Sequence, residues 1–284
     1  MIPVVIYRPP PADAYLCDMD YMGERHTWFD EVDATGADVW PDRSQTFASF
    51  VVNTSNRAAF EQASLVCRMV SGGRGLFLYG GRGLGKTHLL NAIGNDMPVV
   101  GNGPRTLFVT ADRFNDACTM ALQSTAPADI DVFRPAYASI DLLLLDNVNK
   151  VSRSATVLRE FGDVIQRLLR SGKRIIVTAD VPARRLGNID VRTQRAFMHF
   201  TQVEVKEPEL ATRMAILLQL ANQFMADVPD DVFVYVAERY PRDVGRMKRA
   251  LIRILVQSRQ WRSITLERVR PFLAATERPA DVQA

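Results

Sequence analysis

The sequence predicts an α/β protein in which a parallel sheet is followed by a smaller all-helical domain. Nearly continuous apolar runs alternate with helical stretches, as expected of strands buried on both faces of a parallel sheet. The runs are Leu76-Phe77-Leu78-Tyr79, Thr106-Leu107-Phe108-Val109, Leu142-Leu143-Leu144-Leu145 and Ile175-Ile176-Val177, with a weaker fifth run, Val203-Glu204-Val205. After Pro208 only helical patterns follow, over residues 209–224, 229–240 and 241–259 and in a short fourth stretch after Ile264-Thr265-Leu266.

The composition is that of an ordinary globular protein, with 47% hydrophobic and 24% charged residues over 284 positions. No apolar run approaches the ~20 residues that span a bilayer, and the N-terminus lacks the pattern of a signal peptide. Cys17, Cys67 and Cys118 are too widely spaced for a disulfide framework or a CxxC metal site. We therefore expect a cytoplasmic protein without membrane contact.

The formal charge of +3 is unevenly distributed along the chain. Residues 1–44 contain nine acidic residues against three arginines, a charge of −6, so the remainder carries +9. This acidic arm also holds aromatic residues such as Trp28 and Trp40, more than a purely disordered tail usually carries. We expect the arm to dock, either on its own body or on a partner. The basic body permits contact with nucleic acid but does not establish it.

A complete phosphate-binding motif follows the first apolar run. It reads Gly80-Gly81-Arg82-Gly83-Leu84-Gly85-Lys86-Thr87, which is GxxxxGK[ST] between a strand and a helical run. Glycines let backbone N–H groups converge on phosphate oxygens at the start of a helix. Lys86 is expected to reach the β- and γ-phosphates, and Thr87 to bind Mg²⁺. The motif therefore predicts a nucleoside triphosphate site.

An acidic residue at the end of a neighbouring strand is the second part of such a site. Asp146 follows the most apolar run and is expected to hold Mg²⁺ through water. The next position, where a second carboxylate would polarise the attacking water, is Asn147. An amide orients water but cannot accept its proton, and general-base assistance contributes about 10²–10⁴ in rate. We expect nucleotide binding with weak or partner-dependent hydrolysis, unless another residue serves as the base.

These motifs resemble the ATPase domain of the bacterial replication initiator DnaA and of its shorter regulatory paralogue Hda, both AAA+ proteins. The resemblance covers roughly residues 45–275 and is carried by residues 46–57, 76–90, 178–180, 207–213 and 242–244. It implies an AAA+ sheet of order 5-1-4-3-2, counted from the strand before the phosphate loop. It also implies a division into an arm over residues 1–44, a nucleotide-binding domain over 45–207, a helical lid over 208–276 and a tail over 277–284.

The resemblance implies a role for several further residues. The loop residues and His88 contact ATP or ADP, Thr87 and Asp146 hold Mg²⁺, Asp180 senses the γ-phosphate, and Arg242 reaches the phosphates from the lid. The family's arginine finger, which acts on nucleotide bound by a neighbouring subunit, falls within residues 191–197. The usual Arg-Phe pair is absent there, because Ala196 precedes Phe197. Arg195 is the first candidate and Arg192 the second, so nucleotide-dependent self-assembly stays an open expectation.

A helical insertion that initiators and helicase loaders share is expected over residues 114–137. In initiators it contacts single-stranded DNA. Thr119, Met120, Lys150 and Arg153 fall near the corresponding surface, although an ordinary solvated loop explains them equally well. On the third lid helix, Arg242, Arg246, Arg249 and Arg253 follow helical spacing and form either a solvated face or a surface for phosphate or an acidic partner.

Two departures from the resemblance bear on function. The last twenty residues show no counterpart of the initiator's helix-turn-helix domain, so duplex sequence reading is not expected. The arm shows no clamp-binding peptide of the Gln-x-x-Leu-x-Phe type, which weakens the Hda interpretation. A helicase loader or truncated initiator that binds helicase, initiator or single strands is thus the first hypothesis. An Hda-type regulator of hydrolysis by DnaA is the second, and a motor ATPase is the third.

Overall fold

The computed structural model describes residues 41–68, 75–97, 105–123, 128–261 and 263–276, together with Ile6 and Tyr7, for which only the backbone is described. For residues 128–132 the backbone alone is described as well. The predicted arm (residues 1–44) and tail (277–284) therefore lie largely outside the described residues.

The sheet contains six strands, five of them parallel. In chain order they are β1 (Ile6–Tyr7), β2 (Leu76–Tyr79), β3 (Thr106–Thr110), β4 (Leu142–Asp146), β5 (Arg174–Ala179) and β6 (Thr201–Glu204). Across the sheet the order is β1-β3-β4-β5-β2-β6. Counted from β2, the parallel strands run 5-1-4-3-2, which confirms the predicted order. The short β1 pairs antiparallel with β3 and was not predicted.

The strand bounds follow the burial of each strand. β4 is buried along its whole length, and β2 and β3 are buried except at their last residue. The fifth predicted run began at Val203, whereas β6 begins two residues earlier at Thr201. The pattern was misleading because β6 is an edge strand with mostly exposed side chains, which do not need to be apolar.

The helices around the sheet build its core. They are α1 (Arg57–Arg68), α2 (Lys86–Asp96), α3 (Ala111–Gln123), α4 (Ala128–Ala138), α5 (Ala155–Arg170) and α6 (Val191–Met198). The insertion expected over residues 114–137 corresponds to α3 and α4. The Phe114 ring lies 5.8, 5.5 and 5.3 Å from the rings of Phe133, Tyr137 and Phe161. This aromatic cluster packs α3 and α4 against α5.

The C-terminal part contains helices only, within one or two residues of the predicted bounds except that the third begins at Val244. They are α7 (Leu210–Gln223), α8 (Asp230–Arg239), α9 (Val244–Ser258) and α10 (Leu266–Thr276). Leu217, Val232, Met247 and Leu251 are fully buried in their shared core. The Arg213 guanidinium donates hydrogen bonds to the carbonyls of Pro208 and Ala237 and so ties α7 to α8.

The chain divides into two compact units. One comprises the described residues within 1–50, 58–80 and 86–204, and the other those within 51–57, 81–85 and 205–284. The second unit therefore contains the middle of the phosphate-binding motif beside the C-terminal helices. Within the described parts of the chain, no helix is both long enough and apolar enough to cross a membrane.

Candidate nucleotide-binding site

The phosphate-binding motif forms the turn from β2 into α2. The Gly80 N–H donates to the carbonyl of Ala179 at 3.2 Å, which holds the end of β2 against β5. Gly83 and Gly85 have φ angles of 72° and 96°, a region that side chains with a Cβ adopt only with strain. Lys86 and Thr87 are the first residues of α2. The loop therefore has the strand, turn and helix that its pattern predicted.

Gly83 also lies directly against Asp243, and both residues belong to the second unit. A Cβ on Gly83 would lie 2.7 Å from Cγ and 3.3 Å from Cα of Asp243. The same carboxylate accepts a hydrogen bond of 2.8 Å from the Arg246 N–H and so caps α9. Both the φ angle and this close approach require glycine at position 83.

Lys86 is held inside the site. Its side chain is 5% exposed, and its ammonium donates to the Gly80 carbonyl at 2.7 Å and to Asp180 Oδ1 at 3.0 Å. Asp180 directly follows the last residue of β5. The arrangement brings the predicted phosphate lysine and the predicted sensor together in one ion pair.

The two predicted magnesium ligands are in direct contact. Thr87 Oγ1 donates to Asp146 Oδ2 at 2.9 Å, and the buried Thr178 hydroxyl donates to Oδ1 at 2.5 Å. Burial raises the pKa of the Asp146 carboxyl, against the opposing effect of the two hydroxyls and of Lys86. Hydroxyl and carboxylate oxygens are ligands that Mg²⁺ prefers, so this pair fits the ion.

Asn147 adopts a left-handed backbone conformation, with φ 59° and ψ 49°, which asparagine and aspartate tolerate better than most residues. Its N–H donates to Thr178 Oγ1 at 2.9 Å, and its amide Nδ2 donates to Asp146 Oδ2 at 3.1 Å. The side chain that replaces the expected second carboxylate is therefore bonded to the first one.

Two residues of this network were missed in the sequence, Thr178 and Asn149. Asn149 lies in a 3-10 turn, Val148–Lys150, that follows β4. Its Nδ2 donates to Asp180 Oδ2 at 3.1 Å, while its Oδ1 accepts the Asp180 N–H at 2.9 Å. The signal for Thr178 was present, because it is a polar residue inside an otherwise apolar buried strand. Asn149 carried no comparable pattern.

The remaining loop residues are placed less directly. Arg82 is exposed and Leu84 is buried. The His88 ring nitrogen Nε2 lies 3.0 Å from the Thr46 carbonyl, and the ring packs edge-on against Phe50 with centroids 5.1 Å apart. These contacts hold His88 against the segment 46–50 that precedes α1.

The predicted arginines are all at the surface. Arg242 is exposed, with its Nε 3.5 Å from Glu207 Oε1. Arg192 and Arg195 are both exposed on α6, and within the described residues neither side chain makes a hydrogen bond or an ion pair. Their geometry does not separate the two arginine-finger candidates.

The predicted DNA-facing residues are also exposed or half-buried, and one of them is paired. Lys150 makes an ion pair with Asp112 at 2.9 Å. Met120 and Arg153 are exposed, and Thr119 is half-buried. The pair reduces the positive charge that Lys150 presents to solvent.

The arginine stripe on the third lid helix is less uniform than its spacing indicated. Arg246 Nε lies 3.6 Å from Asp243 Oδ2. Arg253 donates to the Thr276 carbonyl at 3.0 Å and lies over the Phe272 ring. Arg242 precedes α9, which begins at Val244. The members thus differ in their contacts, since tertiary partners engage those that approach α10 or the helix cap.

A parallel sheet of this order, with a phosphate-binding loop after β2, defines a P-loop domain of the AAA+ class. The sequence model described as the bacterial DnaA ATPase domain matches residues 42–203. That match spans more than half of the 284 residues. The chain therefore belongs to the family of bacterial DnaA ATPase domains, and it is a replication-initiation-related AAA+ protein.

Solved structures of initiators are similar over most of the chain. Domain III of the Thermotoga maritima replication initiation protein DnaA is 26% identical with a TM-score of 0.76, over 85% of this chain and 98% of that one. A replication initiator DnaA bound to AMPPCP and single-stranded DNA is 26% identical with a TM-score of 0.70, over 84% and 70%. AMPPCP-bound DnaA from Aquifex aeolicus is 28% identical with a TM-score of 0.66, over 79% and 70%.

Proposed function

We propose that this protein is an ATP-dependent switch in DNA replication initiation. The observation that carries the proposal is one connected set of contacts: Lys86 with Asp180, and Thr87 with Asp146. These side chains come from separate parts of the sequence and meet at one end of the sheet. Their chemistry is that of a Mg²⁺-dependent nucleoside triphosphate site, and a similar initiator binds AMPPCP.

Each residue has a distinct task when ATP binds. Lys86 exchanges part of its bonding to Gly80 and Asp180 for phosphate oxygens. Thr87 and Asp146 hold Mg²⁺, whose charge neutralises the phosphates. Arg242, whose ion pair with Glu207 is exposed and therefore weak, is free to turn to a phosphate at little cost.

Hydrolysis by this site is weak or depends on a partner. The residue after Asp146 is an amide, which cannot take a proton from the attacking water. Its Nδ2 is moreover bonded to Asp146. A switch of this kind works through the different affinities of ATP and ADP for its conformations, so slow turnover prolongs the ATP-bound form.

We assign the output to a helicase loader or an initiator that acts through protein and single-stranded DNA contacts. Support comes from α3 and α4, which form the two-helix insertion that such proteins share. The insertion is anchored on α5, where Arg134 binds Glu160 through two hydrogen bonds of 3.0 and 2.6 Å. The expected partners are the replicative helicase, a DnaA-type initiator or, through Arg195, a second copy of the chain.

One observation favours a second candidate, an Hda-type regulator that stimulates hydrolysis by DnaA in trans. The pair Asp146-Asn147 resembles that regulator more than the initiator. If this candidate is correct, adding the protein to ATP-loaded DnaA speeds phosphate release, and Arg195→Ala abolishes the acceleration.

The test is fluorescence anisotropy with labelled single-stranded and duplex oligonucleotides, each with ATP, ADP or no nucleotide. Single-strand binding that appears with ATP and is lost with ADP supports the loader or initiator. Lys86→Ala serves as the control that cannot respond to ATP. Absence of binding in every condition contradicts the DNA contact and favours the regulator, which the phosphate-release assay then tests.

A further inference from the structure

We propose that Asn149 is a positioning residue of the phosphate site, which fixes the orientation of Asp180 and thereby sets the preference for ATP over ADP. The inference rests on the proposed function, because the orientation of Asp180 matters only if nucleotide phosphates bind beside Lys86. Asn149 acts through Asp180 and needs no contact with the nucleotide itself.

Asn149 binds Asp180 at two points. The amide Nδ2 donates to Asp180 Oδ2 at 3.1 Å, and the amide Oδ1 accepts the backbone N–H of Asp180 at 2.9 Å. One side chain thus holds both the main chain and one carboxylate oxygen of the same residue. This leaves the other carboxylate oxygen, Oδ1, facing the Lys86 ammonium at 3.0 Å.

Asn149 is itself held on a rigid support, the 3-10 turn Val148–Lys150. The buried Asn188 side chain donates to the carbonyls of Val148 and Val151 at 2.9 and 3.1 Å. Asn115 donates to the carbonyl of Lys150 at 2.9 Å. With its turn anchored from two sides, the amide of Asn149 has little freedom to follow Asp180 if that residue moves.

The orientation of Asp180 has a direct electrostatic consequence. Its carboxylate competes with phosphate for the Lys86 ammonium and repels phosphate oxygens that come close. The γ-phosphate is the group by which ATP differs from ADP, so a change in the position of this charge alters the two affinities unequally. A ligand shifts a switch only through such a difference.

The experiment measures the ratio of the dissociation constants for ADP and ATP, with Mg²⁺, in the full chain. The variants are Asn149→Ala, Asp180→Asn and their combination. We expect Asn149→Ala to change the ratio about fivefold or more, in the same direction as Asp180→Asn, which is the size expected for one charge-assisted hydrogen bond. The double variant should change it no further than the larger single effect, because the two residues act as one unit.

Asn188→Ala is the matched control, since it removes a buried asparagine that holds the same turn but does not touch Asp180. It should lower the unfolding midpoint and leave the ratio unchanged. Asn149→Asp keeps the size of the side chain but places a carboxylate against Asp180 Oδ2. It should change the ratio as Asn149→Ala does, which covers the case in which the alanine variant fails to fold.

The outcomes separate this inference from the function on which it rests. If Asp180→Asn changes the ratio while both Asn149 variants keep the wild-type value, the positioning role is wrong and the switch stands. If Asn188→Ala changes the ratio as much as Asn149→Ala, the effect belongs to the turn and the positioning role is again wrong. If the folded wild-type protein binds neither ATP nor ADP, the proposed function fails as well.

Discussion

The hydroxyl of Thr87 donates a hydrogen bond of 2.9 Å to Oδ2 of Asp146, 59 residues further along the chain. Thr87 lies in the first turn of α2, and Asp146 is the last residue of β4. Because parallel strands end at the same edge of the sheet, the loop after β2 and the end of β4 meet there. A Mg²⁺ site at this edge needs only small movements of these two side chains.

Replacing Asn147 by aspartate tests why turnover should be slow. The left-handed backbone of Asn147 accepts aspartate, and the new carboxylate can take a proton from water. We expect the steady-state rate of ATP hydrolysis to rise by about 10²-fold, at the lower end of general-base contributions. A rate that does not rise above wild type, in a variant that still binds ATP, would show that Asn147 does not limit turnover.

Replacing Gly83 by alanine tests the close approach of Asp243. Gly172 is the matched control, because it also has a positive φ angle of 67° but has nothing within 4 Å of an added Cβ. Gly172→Ala should cost about 1–2 kcal/mol in the free energy of unfolding, and Gly83→Ala should cost more. The penalty of Gly83→Ala should shrink when it is measured in an Asp243→Ala background. Equal penalties in both backgrounds, measured by urea unfolding, would contradict the contact.

The anchor of α4 on α5 can be tested by removing Arg134. Glu160 is 6% exposed, so Arg134→Met leaves a buried carboxylate without its guanidinium partner. The Arg134 side chain is itself 43% exposed, and we therefore expect a loss of about 1–3 kcal/mol, below that of a fully buried pair. Lys150→Met, which breaks the exposed pair with Asp112, should cost under about 1 kcal/mol. Similar losses in the two variants would be evidence against an anchoring role.

Lys248 predicts a pH-dependent effect in the second unit. Its ammonium is half-buried on α9 and has no hydrogen bond or ion pair within the described residues, and burial lowers its pKa below the ordinary 10.5. Lys248→Met should therefore stabilise the protein at pH 7 by about 0.5–2 kcal/mol.

The sign of the pH effect follows from proton binding. As the pH rises through the lowered pKa, the folded state loses the proton while the unfolded state keeps it, so wild-type stability increases. The advantage of Lys248→Met should accordingly shrink between pH 7 and pH 10. Urea unfolding at several pH values checks this, with exposed Arg249→Met as the control. An advantage that grows with pH would contradict the predicted direction.

Much of the fold could be predicted because its determinants are local. The buried strands appear as apolar runs, and β2 was predicted residue for residue. The edge strand β6 was displaced by two residues, since exposed strands lack that signal. For β1, a two-residue pairing at the far edge of the sheet, the sequence offers no periodicity at all.

The candidate site divides along a similar line. Residues in a motif of fixed spacing, such as Lys86 and Thr87, were found directly. Asn149 was missed because its role depends on contact with Asp180, which lies 31 residues away and has no pattern linking it to Asn149. The arginine stripe was judged from spacing alone, although Asp243 and the Thr276 carbonyl engage two of its members.

Equilibrium binding of ATP in the presence of Mg²⁺ tests the central claim most directly, in the wild-type protein, Lys86→Ala and the control Lys150→Ala. We expect wild type and Lys150→Ala to bind ATP equally and Lys86→Ala to bind it about 10–100-fold more weakly, the size of one or two charged contacts. Folded wild-type protein that does not bind ATP, or equal affinity in wild type and Lys86→Ala, would contradict the claim that this loop holds a nucleotide.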